Sequence, residues 1–131
     1  MFSHVTIGTN DLQRGKVFYD AVLKTLGHEC FSSGLHFSAY GRRDGEQIWI
    51  IHPFDGKKSS VGNGTHIAFI ATDRISVDNF HTKALEMGGT NEGVPGLRPQ
   101  YHASYYGAYI RDPDGNKIQA VCHKNIKDLS S

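Results

Sequence analysis

Residues 3–9 and 65–71 alternate apolar and polar side chains. Val5 and Ile7, like Ile67 and Phe69, line one side of a strand, while His4, Thr6, His66 and Ala68 line the other. After each strand the apolar period lengthens to that of a helix. Leu12, Phe18, Tyr19, Val22, Leu23 and Leu26 follow Asp11, whose carboxylate suits the free amides of a helix start, and Gly27 suits the left-handed turn that ends one. The second helix runs from Ser76 through Phe80, Ala84, Leu85 and Met87 to Gly88 and Gly89. Strand-like segments follow at about 35–41 and 47–52, and again at about 105–111 and 117–123, with Asp44-Gly45 and Asp114-Gly115 as the turns between them. Short strands near 29–31 and 90–92 complete the order βαβββ twice.

Laying His4 over His66 also superposes Asp11 on Asp73, Phe18 on Phe80, Leu23 on Leu85 and Gly27 on Gly89, so the chain reads as a duplicated unit. One sheet with one helix buries too little alone, which predicts a single α+β domain over 1–131. Module 1 spans about 1–53, a linker about 53–64, module 2 about 65–123, and a polar tail 124–131.

Composition then narrows the function class. The 131 residues carry 14 Lys+Arg against 13 Asp+Glu, a formal net charge of +1, with 38% hydrophobic residues. Such a chain folds and offers no electrostatic footprint for nucleic acid or anionic lipid. Apolar runs such as Ile48-Trp49-Ile50-Ile51 are too short to span a membrane, and Met1-Phe2-Ser3-His4 does not read as an export signal. Two cysteines, Cys30 and Cys122, are too few for a disulfide scaffold, so a cytoplasmic setting is expected. Gly62-Asn63-Gly64 lacks the lysine and the strand-loop-helix context of a phosphate-binding loop.

Chemistry concentrates on the side of the strands away from the helices. If a pseudo-twofold axis relates the modules, His4 and His66 project into one concavity, where imidazoles suit a divalent metal but need further ligands. Counting from the second Asp-Gly turn leads to Gln119, and the same count from the first leads to Trp49. The bland alternatives are plain surface histidines and a tryptophan that serves as wall. On the same alternation Val121 and His123 share the side of Gln119, whereas Cys122 joins Ile118 and Ala120 towards the helix as a buried small hydrophobe. The stretch Gly93–His102, read as a long loop running into Tyr105, has no counterpart in module 1. Its Arg98, Tyr101 and His102, with Tyr105, suit an anionic or aromatic small molecule, and equally a cover for the sheet or a protein contact.

Arg111-Asp112-Pro113-Asp114-Gly115-Asn116-Lys117-Ile118-Gln119, together with His4-Val5-Thr6-Ile7, Asn10-Asp11-Leu12, Phe18-Tyr19 and His66-Ile67-Ala68-Phe69, resembles the vicinal oxygen chelate superfamily. That group holds glyoxalase I, fosfomycin-resistance transferases, extradiol dioxygenases, methylmalonyl-CoA epimerase and bleomycin-binding proteins. The resemblance runs from His4 to His123 and implies two βαβββ modules forming a curved eight-stranded mixed sheet around a central cavity, with helices on the outer face. It implies one divalent ion (Zn, Ni, Mn or Fe) on His4, His66 and Gln119, the last standing where a glutamate is usual. A further glutamate position falls on or beside Trp49. The implied protein is a homodimeric, metal-dependent enzyme of lyase, isomerase or dioxygenase type on a small oxygen-rich substrate. Trp49, Arg98, Tyr101 and Tyr105 then bind substrate, and His102 or His123 are candidate proton carriers. Neither departing position keeps a carboxylate base, which argues against glyoxalase I activity itself. The alternative is a metal-free binding protein of the bleomycin-resistance type.

Overall fold

The computed structural model describes residues 1–125. Its elements are β1 (His4–Gly8), α1 (Leu12–Lys24), β2 (Cys30–Ser33), β3 (Phe37–Gly41), β4 (Gln47–Ile51), β5 (His66–Ile70), α2 (Arg74–Glu86), β6 (Thr90–Leu97), β7 (Tyr106–Arg111) and β8 (Lys117–Cys122). The βαβββ order therefore occurs twice in an α+β fold. The tail expected at 124–131 lies, from residue 126 on, outside the described residues.

Both helices start on the predicted chemistry. The Asp11 carboxylate accepts the Arg14 N–H at 3.0 Å and the Asp73 carboxylate that of Ser76 at 2.7 Å, so α2 begins at Arg74, ahead of the expected Ser76. Gly27 lies just past the end of α1 with φ +86°, but in the second copy the positive φ falls on Gly88. Gly89 is required for space instead. A Cβ there would stand 2.8 Å from the Ala84 carbonyl oxygen and 2.9 Å from that of Arg111.

The strands pair as two four-stranded mixed sheets, ordered β1-β4-β3-β2 and β5-β8-β7-β6. In each, the first and last strands of the module run parallel and the other neighbours antiparallel. Thr6 pairs with Trp49, and Ala68 with Gln119, so the indole and the amide do occupy equivalent places. The strand near residue 90 is longer than expected. It continues through Gly93-Val94-Pro95-Gly96-Leu97, which is therefore strand and not loop, with irregular register between Asn91 and Gly96. Proline lacks the N–H that a central strand needs, and β6 tolerates Pro95 because it is the outermost strand.

One hydrophobic cluster serves both modules. Phe18, Tyr19, Val22 and Leu23 of α1 and Val77, Phe80 and Ala84 of α2 join Tyr40, Ile48 and Ile50 of the first sheet and Ala108, Ile110, Ile118, Ala120 and Cys122 of the second. Each fully buried side chain of Val, Leu, Ile or Phe size contributes about 1.5–3 kcal/mol. Cys122 is wholly buried, as its alternation predicts, whereas Leu85 turns to solvent at 41% exposure. Among the described residues no helix is long and apolar enough to cross a membrane.

The modules meet through α1 against α2 and through the Asp112–Asn116 turn. Tyr19 donates to Asp112 at 2.6 Å, and the Asn116 amide donates to the Gly8 carbonyl at 2.9 Å. Asp114 accepts from the Thr9 hydroxyl at 2.5 Å, from the Asn10 N–H at 2.9 Å and from Arg14 at 2.7 Å. The turn is thus a clasp that fastens the second module to the start of the first helix. Because both sheets give their helix-facing side to one core, the rows carrying His4 and His66 face away from it on separate sheets.

Candidate functional site

On the outer row of the second sheet, three polar side chains join end to end. His66 Nε2 lies 3.0 Å from Gln119 Oε1, and Gln119 Nε2 donates to the Tyr105 hydroxyl at 2.5 Å. Gln119 is only 1% exposed, and each polar atom of its amide has a partner in this network. With the amide oxygen accepting, the network assigns the His66 proton to Nε2 and leaves the Nδ1 lone pair free. Tyr109 pairs with Gln119 across the ladder and tilts against His66 with ring centroids 6.2 Å apart. Its hydroxyl is pushed up to about 12, first by burial and then by a hydrogen bond to Tyr105.

Around Tyr105 the structure gathers the other expected residues of module 2. His102 and His123 each meet its ring, at centroid distances of 5.4 and 5.3 Å. The two imidazoles also meet each other, His102 Nε2 lying 2.9 Å from His123 Nδ1. The Ser104 N–H donates to His102 Nδ1 at 3.1 Å, so His102 carries its proton on Nε2 and gives it to His123. Tyr101 packs on Tyr105 at 4.9 Å. Arg98 lies over the Tyr109 ring at 5.6 Å, and its Nη2 donates to the Val94 carbonyl at 2.7 Å, which fixes the guanidinium along its own strand end.

The first sheet presents a different surface. Trp49 tilts against Phe37 at 5.1 Å and meets Phe31 edge-on at 6.4 Å, while its indole N–H donates to Gln47 at 2.9 Å. His4 sits 6.2 Å from the Trp49 ring, with Nδ1 2.8 Å from the Ser3 hydroxyl. Among the described residues His4 and His66 share no hydrogen-bond or ring partner. Among the described residues no three His, Cys, Asp or Glu side chains converge.

The donors that do converge have a suitable spacing. Two neighbouring ligands bonded to one cation at ~2.1 Å and at right angles stand ~3.0 Å apart. The His66–Gln119 separation matches this, and an ion taken up there would displace the Nε2 proton to Nδ1 and replace the hydrogen bond. Both donors are neutral, so the pair binds a cation without the Coulombic gain of a carboxylate. Sequence reasoning missed Tyr109, Phe31 and Phe37. Tyr109 was accessible from the period of two, as the residue of the neighbouring strand opposite Gln119. Phe31 and Phe37 needed the strand register around Trp49.

A family model described as Glyoxalase/Bleomycin resistance protein/Dioxygenase superfamily matches residues 1–120. A probable lactoylglutathione lyase of Synechocystis sp. is 31% identical over 132 residues, covering 95% of this chain and 97% of the relative. The metallothiol transferase FosB of Shouchella clausii is 25% identical over 120 residues, covering 89% of this chain and 76% of the relative. Among solved structures, a glyoxalase/bleomycin resistance protein from Albidiferax ferrireducens superposes with a TM-score of 0.87 at 40% identity, covering 95% of this chain and 99% of that one.

Proposed function

Because the chain belongs to the glyoxalase/bleomycin resistance protein/dioxygenase superfamily, we propose that it is a divalent-metal-dependent enzyme of lyase or isomerase type acting on a small oxygen-rich molecule. The observation that carries this reading is the His66–Gln119 pair, two side chains held 3.0 Å apart that turn to one ion once the His66 proton moves to Nδ1. His66 and Gln119 would hold the ion, with His4 as a third ligand from the first sheet. A bound divalent ion supplies Lewis-acid polarisation of neighbouring substrate oxygens.

His4 and His66 stand on separate sheets of one chain, so a second copy is the simplest source of the missing ligand. A homodimer that lays the first sheet of one copy on the second sheet of the other brings the Trp49 wall over the Tyr105 network. In that arrangement Trp49, Tyr101 and Tyr105 bind the organic body of the substrate, with Arg98 at the rim. The proton carriers are His102 and His123, whose shared proton lies between Nε2 of one and Nδ1 of the other. The named lyase relative supports the reaction class. The activity of glyoxalase I itself fits less well, since neither Gln119 nor Trp49 offers the carboxylate base expected of it. The free thiols of Cys30 and Cys122 favour a cytoplasmic setting.

A second reading rests on the Trp49, Phe37 and Phe31 wall, which suits a planar ligand gripped without metal. Metal analysis of protein purified without added metal, repeated after incubation with zinc, nickel, manganese or iron, separates the two. Stoichiometric metal that is lost on replacing His4 and His66 together is the expected result. No metal under any of these conditions refutes the enzyme and leaves the binding protein.

A further inference from the structure

The molecule has a concave feature away from the His66 network. A cleft of about 800 Å³ opens at the end of the first sheet, with Leu35, His36, His52, Phe54, Lys57 and Lys58 among the residues that line it. His36 and His52 flank the Phe37–Ile51 pair, and the His52 N–H donates to the His36 carbonyl at 3.1 Å. By strand alternation their side chains share the side of Ser38 and Ile50, the helix side, whereas Trp49 projects from the opposite one. The cleft is therefore separate from the rows that carry the proposed active site.

Its chemistry is one-sided. Among the described residues no Asp or Glu lines it, the two lysines are adjacent in sequence, and the two imidazoles stand 5.9 Å apart edge to face. Among the described residues neither lysine ammonium enters an ion pair. The nearby Asp55 carboxylate accepts the Lys57 backbone N–H at 2.9 Å and borders a smaller hollow beside the cleft. Leu35 and Phe54 are apolar yet 84% and 104% exposed, so the basic wall is paired with unsatisfied apolar surface. The segment carrying the lysines is also anchored. Asn10 takes the Ser59 N–H on its side-chain oxygen at 2.6 Å and returns a hydrogen bond to the Ser59 carbonyl at 3.4 Å.

We propose that this cleft binds a small amphipathic anion, a phosphate or carboxylate attached to an aromatic or acyl body, with Lys57, Lys58, His36 and His52 around the anionic group and Leu35 and Phe54 against the apolar part. The site is independent of the metal reading above. Unpaired ammonium groups attract an anion over roughly the ~8 Å screening length of physiological salt, and the exposed apolar pair gives selectivity for an organic ester over the free ion.

Two probes test this on the full chain, phenyl phosphate and inorganic phosphate, each titrated into isotopically labelled protein and followed by amide NMR. The expected result is saturable shifts confined to Asn10, His36, His52 and residues 54–58, with phenyl phosphate binding the tighter. The double variant Lys57→Gln/Lys58→Gln should weaken both probes by about tenfold, which corresponds to ~1.4 kcal/mol. Leu35→Ser/Phe54→Ser should remove the preference for phenyl phosphate and leave inorganic phosphate unchanged. All four side chains are exposed, so unchanged far-ultraviolet circular dichroism is the folding control. Shifts that never saturate, or saturable binding undiminished by the lysine changes, would overturn the proposal. Shifts centred on His66 and Gln119 would do so too, because they would assign the anion to the other site.

Discussion

Replacing Asp112 by alanine should be among the most damaging single changes in the molecule, although Asp112 touches neither outer row. Its Oδ2 accepts from Tyr19 at 2.6 Å and from the Asn116 amide at 2.9 Å, and its Oδ1 accepts the Asp114 and Asn116 N–H groups, each at 2.9 Å. Truncation leaves four donors without an acceptor at a position only 5% exposed. Each buried orphan costs about 1–3 kcal/mol. Two effects reduce the sum. Water can enter the vacated space, and a buried charge is removed, whose cost is visible in a carboxyl raised above its ordinary range by burial, against the opposing hydrogen bonds. The net loss should be about 3–5 kcal/mol, the usual result of breaking a buried charged network, out of a total stability of about 5–15 kcal/mol. Tyr19→Phe, which removes one of the four donors, should cost about 1 kcal/mol. Arg14→Ala should cost less than about 1 kcal/mol, because the Arg14 side chain is 46% exposed.

The assay is urea unfolding read by two probes. Trp49 is the only tryptophan and sits in the first module, so its fluorescence reports that module alone, while far-ultraviolet circular dichroism reports both. Asp112→Ala should lower both midpoints and pull the two curves apart, since the clasp couples the modules. A loss below about 1 kcal/mol with coincident curves would refute the reasoning. The raised carboxyl sets the pH dependence. The folded state holds this proton where the unfolded chain, with its value of 3.8, has lost it. The stabilising contribution is then full below 3.8 and lost as pH rises through the folded value. Wild type should therefore gain stability relative to Asp112→Asn as pH falls through the raised folded value towards 3.8.

Three other outcomes are expected. Gly89→Ala should lose about 1–3 kcal/mol in the same urea assay, since the added Cβ meets two backbone carbonyls at 2.8 and 2.9 Å. Phenolate absorbance should show Tyr106 and Tyr109 of the folded protein ionising only near 12, with burial the main cause for both. The unfolded chain releases these protons near 10, so stability should fall as pH rises above 10; titration of all tyrosines near that value with no loss of stability would exclude the assignment. Gln119→Glu places a carboxylate between His66 and Tyr105, and thermal midpoints should rise with added divalent metal more in this variant than in wild type. No metal response in either protein would remove Gln119 and His66 from any ion.

Much of the fold was legible because it rests on local rules. The period of two gave β1, β5 and the inward direction of Cys122, and Asp11 and Asp73 announced both helix starts. Leu85 matched the helical period, yet position along a period fixes a face and not whether a neighbour covers it. β6 escaped because Pro95 and its flanking glycines read as a loop, and only its outer place in the sheet makes that composition tolerable as strand. The Asp112–Asn116 turn was visible as a turn, but its fastening of the two modules depends on partners about a hundred positions away. The same limit applied to the candidate site. Alternation aligned Gln119 with the His66 side, and the register made that a hydrogen bond. No period in one chain can say which sheet faces which, so the separation of His4 from His66 was beyond the sequence.

The clasp also bears on how the protein emerges from the ribosome. Thr9, Asn10 and Arg14 are made about a hundred residues before Asp114, yet all three wait for it, and the Tyr19 hydroxyl waits for Asp112. Until the second module has been almost entirely synthesised, the first must keep a buried phenol without its acceptor and the start of α1 without its tether. Vectorial folding, one repeat after the other, is the habit of duplicated chains whose units are self-sufficient. Here the closing contacts span about a hundred residues, which ties completion of the first module to the arrival of the turn before β8.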